Sequence, residues 1–230
     1  MFSSRSTAFR TSWTVEESYK TQESGDEIQY LPPEDVQSLW RAVPAPKVRN
    51  KLLTRLAYQT GMRVSELINI KVEPIDRDER IIPVPAVTSK SNSRNVAYKP
   101  SLDSLLRRWI DGGLRDAVPH ADESPYLFPT REGERISRES VRRIVRKAAD
   151  KAGLNRDIYT DTAGNTRTKV SPHILRHSMA VNTLKAGTLN VRELQEFLGH
   201  HSLEMTETYL QIASDDATDA YKDRGGPPEA

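Results

Sequence analysis

The sequence predicts an α+β fold that is mostly helical and carries one small antiparallel sheet. Three observations lead there. Apolar residues recur at helical spacing from Pro33 to Ile68 and again between about 101 and 152. Between about 72 and 98 the pattern becomes β-branched and proline-marked. No apolar run approaches the roughly 18 residues that a membrane span requires. A chain of 230 residues can bury a sizeable core and suits one domain, or one domain with a small appendage.

Residues 1–27 hold ten Ser and Thr, scattered charge and no period, which predicts a disordered tail. The first 15 residues contain two Arg and no acid, a composition that transit peptides share, but nothing there resembles an apolar signal segment. A soluble cytoplasmic protein is expected. In "YLPPEDVQSLW" the prolines open a helix, Glu34 and Asp35 suit its dipole, and Val36, Leu39 and Trp40 fall on one side. A second helix over about 48–59 carries Leu52, Leu53, Leu56 and Ala57; Gly61 then permits a sharp turn into a third with Val64, Leu67 and Ile68.

"RIIPVPAV" and "SRNVAYKP", separated by "TSKSN", read as a hairpin whose tip carries Lys90; Pro83 and Pro85 place the first strand at an edge. Helices resume at about 101–111 and 137–152. The latter turns Val141, Ile144, Val145, Ala148 and Ala149 inward and leaves Arg138, Arg142 and Arg146 outward, with Gly153 as its stop. Residues 214 onward read as a short acidic helix capped by Ser214.

The net charge of +2 hides an uneven distribution. Residues 131–156 hold nine Lys and Arg against four acids, whereas 203–230 hold two against seven. The first block suits a polyanion and the second repels one. The absence of Cys excludes disulfides, thiolate chemistry and Cys-ligated zinc.

Chemistry-bearing residues concentrate at "SPHILRH". Ser171 suits an N-cap and Pro172 the first helical position, so His173 lies in the first turn and Arg176 one turn later on the same face. That pair fits a phosphate or carboxylate, while a structural His beside a surface Arg is the plainer alternative. His173 and His177 are also four apart, a spacing that can bind zinc, but Ile174 stands where a metalloprotease has Glu, so no metal is expected. "NVRELQEFLGHHSLEMTETYLQI" has a helix-turn-helix outline, yet its second helix offers Glu204 and Glu207 to a polyanion, which argues against a groove-reading role.

Taken together, "TGMRVSEL", the Lys90 hairpin, "HILRH", "LGHHS" and Tyr209 resemble the tyrosine recombinase, or phage integrase, family over about residues 30–222. The resemblance implies the family's mostly helical catalytic domain with a small β-sheet, over 28–222, with 223–230 as a flexible tail. It also implies cleavage and rejoining of double-stranded DNA through a covalent 3′-phosphotyrosyl link, with no cofactor. Residue by residue it makes Arg63 and Arg176 the catalytic arginines, Lys90 the hairpin lysine and His173 the histidine of the His-x-x-Arg pair. His200 becomes the histidine after Leu-Gly, nine residues before the nucleophile Tyr209; His201 receives no role.

The chemistry agrees with those assignments. A phenol must lose its proton to attack phosphorus, and His173 is the candidate base. Two guanidiniums match the charge that spreads over the non-bridging oxygens, and Lys90 can protonate the departing 5′ oxygen. Glu66 is expected to orient Arg63 from one turn away. Arg138, Arg142 and Arg146 are the candidate DNA-phosphate contacts. The family carries a further helical domain ahead of this one; the residues before position 28 are too few for it, which implies a compact or truncated member. The resemblance also implies a homo-oligomer, four protomers on paired sites. The alternative is a non-catalytic DNA-binding regulator that keeps the fold.

Overall fold

The computed structural model describes residues 29–86, 93–155, 159–160, 166–167, 170–199 and 209. Its elements follow the expected order. Helix α1 spans Pro33–Ala42 and begins on a proline with Glu34 and Asp35 in its first turn. Helix α2 spans Lys47–Thr60, and α3 is a single turn over Val64–Leu67. Strands β1, Ile81–Val84, and β2, Arg94–Ala97, pair antiparallel with Ile82 opposite Val96. A 3-10 turn at Pro100–Leu102 leads into α4, Asp103–Ile110, and α5 spans Arg138–Ala152. The pair β3, Tyr159–Thr160, and β4, Thr166–Arg167, is antiparallel and was not anticipated by the sequence pattern. Helices α6, Pro172–Lys185, and α7, Val191–Leu198, complete the described fold.

Two parts of the sequence reading need adjustment. The strand pattern begins at Ile81 rather than near 72: residues 71–80 form turns with isolated bridges, because Pro74 and the Asp76 carboxylate, which takes the N–H groups of Asp78 and Glu79, favour a turn over a ladder. Helix α3 is also shorter than its apolar spacing suggests. The tail and acidic C-terminal segment lie outside the described residues.

The local chemistry explains where the elements stop. Ser137 caps α5 by accepting from the Ser140 N–H, and Gly153 ends it in the left-handed conformation at φ 74°. Asn190 and Glu193 close a reciprocal capping box on α7. Helix α2 packs against α4 and α6, α1 against α5, and α7 against both α6 and β2. The core between them contains Leu39, Leu52, Leu53, Leu56, Val96, Leu106, Val141, Val145 and Leu175, each at most 1% exposed. Burial on this scale, at roughly 25 cal/mol per Å² of apolar surface, drives the assembly. A smaller cluster of Met179, Ala180, Val181, Leu194 and Leu198 joins α6 to α7 and receives the ring of Tyr209.

Candidate active site

The site grows from the end of α2. Gly61 takes φ 57°, turning the chain so that Arg63 stands at the head of α3. A Cβ at 61 would lie 2.6 Å from Leu198 Cδ2 and 2.7 Å from Met179 Cε, so both side-chain ends would have to shift. This bare backbone lets α6 and α7 close on the α2–α3 turn, and the Gly61 carbonyl accepts from the Arg176 guanidinium. Arg176 also donates to the Leu198 carbonyl at 2.9 Å, so one buried side chain staples the ends of α2 and α7.

Glu66 organises the opposite side. Its carboxylate is 0% exposed and accepts the Arg63 backbone N–H at 2.9 Å and guanidinium at 3.2 Å. It also accepts a two-pronged contact from Arg94 on β2, at 3.0 and 2.8 Å. Arg94 reaches further, donating Nε to the Phe197 carbonyl at 3.1 Å, and its Cδ would be 3.1 Å from a Cβ at Gly199. Gly199, at φ 64°, thus ends α7 in a conformation and a space that suit glycine. The β-hairpin, the α3 turn and the end of α7 meet on this one carboxylate–guanidinium pair.

Helix α6 supplies the imidazoles. Ser171 caps it by accepting from the Ile174 N–H, which sets His173 in the first turn. His173 and His177 stack edge to face with ring centroids 4.0 Å apart, as their i, i+4 spacing allows. His177 Nδ1 lies 2.6 Å from Tyr209 Oη, with the two rings tilted and 5.4 Å apart. Tyr209 is 1% exposed.

The electrostatics tie these groups into one cluster. Burial lowers the Arg176 pKa to about 10, assisted by the Arg63 cation and opposed by Glu66 and Tyr209; it remains cationic at neutral pH. His173 is exposed, yet partial desolvation, then Arg176 and Arg63, pull its pKa below the ordinary value. Burial pushes the Tyr209 phenol up, while Arg176 and Arg63 pull it back. Removing those cations, or leaving the site dry, therefore makes the phenol harder to ionise.

Of the residues singled out from the sequence, Arg63, His173, Arg176 and Tyr209 come together here. Lys90, His200 and His201 lie outside the described residues. Glu66 pairs with Arg63 as the one-turn spacing suggested. Arg138, Arg142 and Arg146 are exposed along α5, with Arg142 3.5 Å from Glu139. Among the described residues no group of three or more His, Asp or Glu is arranged to hold a metal ion.

Two residues escaped the sequence reading. The sequence offers His177 only as a possible metal ligand, although helical spacing places it beside His173. Arg94 falls on the same face of β2 as Val96, the buried side, and an inward arginine in a strand signals a buried carboxylate partner.

Comparison with known proteins gives the setting of these residues. A model of the phage integrase family matches residues 29–215. The tyrosine recombinase XerA of Pyrococcus furiosus is 33% identical over 190 residues, which cover 80% of this chain and 57% of that protein. The chain spans about half the length of the curated relatives it matches. The crystal structure of XerA recombinase superposes with a TM-score of 0.71 at 25% identity, covering 89% of this chain and 68% of that one. The XerH site-specific recombinase, in a post-cleavage complex with palindromic difH substrate, shares the fold at a TM-score of 0.66 and 21% identity, over 85% of this chain and 53% of its own.

Proposed function

The chain belongs to the phage integrase family, and from that premise we propose that it is a metal-independent, site-specific recombinase that breaks and rejoins double-stranded DNA through Tyr209. The observation that carries this reading is the placement of the Tyr209 hydroxyl on an imidazole, within the electrostatic reach of Arg63 and Arg176. A scissile phosphate seated between the two guanidiniums would have its developing charge neutralised by groups already held in place. Arg176 uses two N–H groups on carbonyls, which leaves the rest of a five-donor fork for a phosphate.

In the proposed reaction the phenol oxygen bonds to phosphorus and the P–O5′ bond breaks. The product is a 3′-phosphotyrosyl link that retains the energy of the phosphodiester, and a free 5′-hydroxyl can later reverse the attack. An imidazole of the His173–His177 pair takes the phenol proton. Lys90 protonates the leaving oxygen and His200 hydrogen-bonds the transition-state phosphate, roles that rest on the family resemblance. The exposed row Arg138, Arg142 and Arg146 supplies phosphate contacts. Four protomers assemble on paired sites, which light scattering of the DNA complex would read directly.

The test uses nicked duplex oligonucleotides randomised around the nick, so that the short 5′-hydroxyl fragment diffuses away after attack. A protein–DNA adduct stable on a denaturing gel is expected, and Tyr209→Phe removes it. An undiminished adduct in that variant refutes the nucleophile assignment. Binding with no adduct from the unmodified chain would favour a DNA-binding regulator instead.

A further inference from the structure

We propose that His177, not the histidine that opens its helix, is the group that takes the proton from Tyr209; the inference rests on the strand-transfer reading above and assigns a catalytic role within it. The geometry is direct. Nδ1 lies 2.6 Å from Oη, within the reach of a general base, whereas the ring contact of His173 is with the His177 ring, centroids 4.0 Å apart. With its proton on Nε2, the neutral imidazole presents the Nδ1 lone pair to the phenol. Tyr209 is 1% exposed and packs with Met179, Ala180, Leu194 and Leu198, so the imidazole hydrogen-bonded to its hydroxyl is the acceptor at hand.

The acceptor is also held in place. His177 follows Arg176, whose bonds to Gly61 and Leu198 lock this turn of α6 to the ends of α2 and α7, and His173 packs across its ring at 4.0 Å between centroids. The step balances as follows. The Oη–H bond breaks and its proton passes to Nδ1, giving an imidazolium. The Oη electron pair forms the bond to phosphorus of a DNA phosphodiester. The P–O5′ bond breaks, its electron pair stays on O5′, and Lys90 protonates that oxygen. In the reverse attack His177 returns the proton to Tyr209. The negative phosphate between Arg63 and Arg176 offsets the transient third cation on His177.

The experiment measures single-turnover adduct formation on the randomised nicked duplex, in two forms: the natural 5′-bridging oxygen and a 5′-bridging sulfur. A thiolate leaves without help from an acid, so the sulfur substrate separates nucleophile activation from leaving-group protonation. His177→Gln, which keeps an acceptor and cannot take a proton, is expected to slow the adduct about 100-fold on both substrates, within the range for loss of a general base, with DNA retention unchanged. His177→Ala, checked for folding by circular dichroism, is expected to be equally slow and to recover at least tenfold with added imidazole. Rates of His177→Gln within about threefold of the parent overturn the inference, as does a deficit that disappears on the sulfur substrate, which would place His177 on the leaving-group side. A tenfold or greater loss confined to His173→Gln would transfer the role to that residue. No adduct from the unmodified chain overturns strand transfer itself, a result distinct from all of these.

Discussion

Arg94→Ala removes a guanidinium that donates to both oxygens of Glu66 and to the Phe197 carbonyl. The Glu66 side chain is 0% and the Arg94 side chain 9% exposed, so little water can replace the lost bonds. Breaking a buried pair from one side costs about 3–5 kcal/mol, because the surviving charge is stranded. Glu66 keeps its two contacts with Arg63, at 2.9 and 3.2 Å, which places the carboxylate's share near the lower end, about 3 kcal/mol. The orphaned Phe197 carbonyl adds about 1 kcal/mol. For a chain of this size each kcal/mol moves Tm by about 2–4 °C, so a fall of roughly 10 °C is expected. Arg94→Lys keeps the charge but not the fork, and about half that fall is expected. Circular-dichroism melts at fixed protein concentration and pH decide the matter. A Tm for Arg94→Ala within about 2 °C of the parent would refute the argument that this pair is buried and uncompensated.

Other perturbations test the remaining links. Gly61→Ala forces a left-handed φ on a residue with a Cβ and pushes the ends of Leu198 and Met179 aside, so about 1–2 kcal/mol of destabilisation is expected in urea melts. Unchanged stability would mean that residue 61 does not hold the left-handed turn that ends α2. Replacing Arg138, Arg142 or Arg146 by Ala should weaken DNA binding for every sequence and reduce the slope of log affinity against log salt by about one unit each; unchanged slopes would show that the row faces solvent only. His173 is held below its ordinary 6.5 by desolvation and by Arg176 and Arg63. The folded state therefore binds its proton less readily than the unfolded chain does. The corresponding stability is fully present above pH 6.5 and declines as pH falls from there toward the lower folded value. Urea midpoints measured from pH 8 to pH 5 should fall less in His173→Gln than in the parent, and an equal fall in both would contradict the shift.

Much of this architecture was legible in the sequence because its causes are local. Ser171 states where a helix begins, and Gly61 and Gly153 state where helices end, since capping bonds and left-handed turns involve neighbours only a few residues apart. The same locality put His173 and Arg176 on one face of α6 and paired Glu66 with Arg63. The start of β1 is not legible in this way, because turn chemistry at Asp76 competes with β-branched residues for the same backbone.

Residue types and spacings thus determined the helices, their ends and the inventory of reactive groups. Tertiary packing alone decided which groups far apart in the chain touch. His177 meets a tyrosine 32 positions away, Arg94 meets Glu66 28 positions away, and Arg176 reaches Gly61 across 115. No periodicity encodes such contacts. They arise when α6, α7 and β2 bury their apolar faces together, and the bare backbone at Gly61 and Gly199 sets how closely those elements approach.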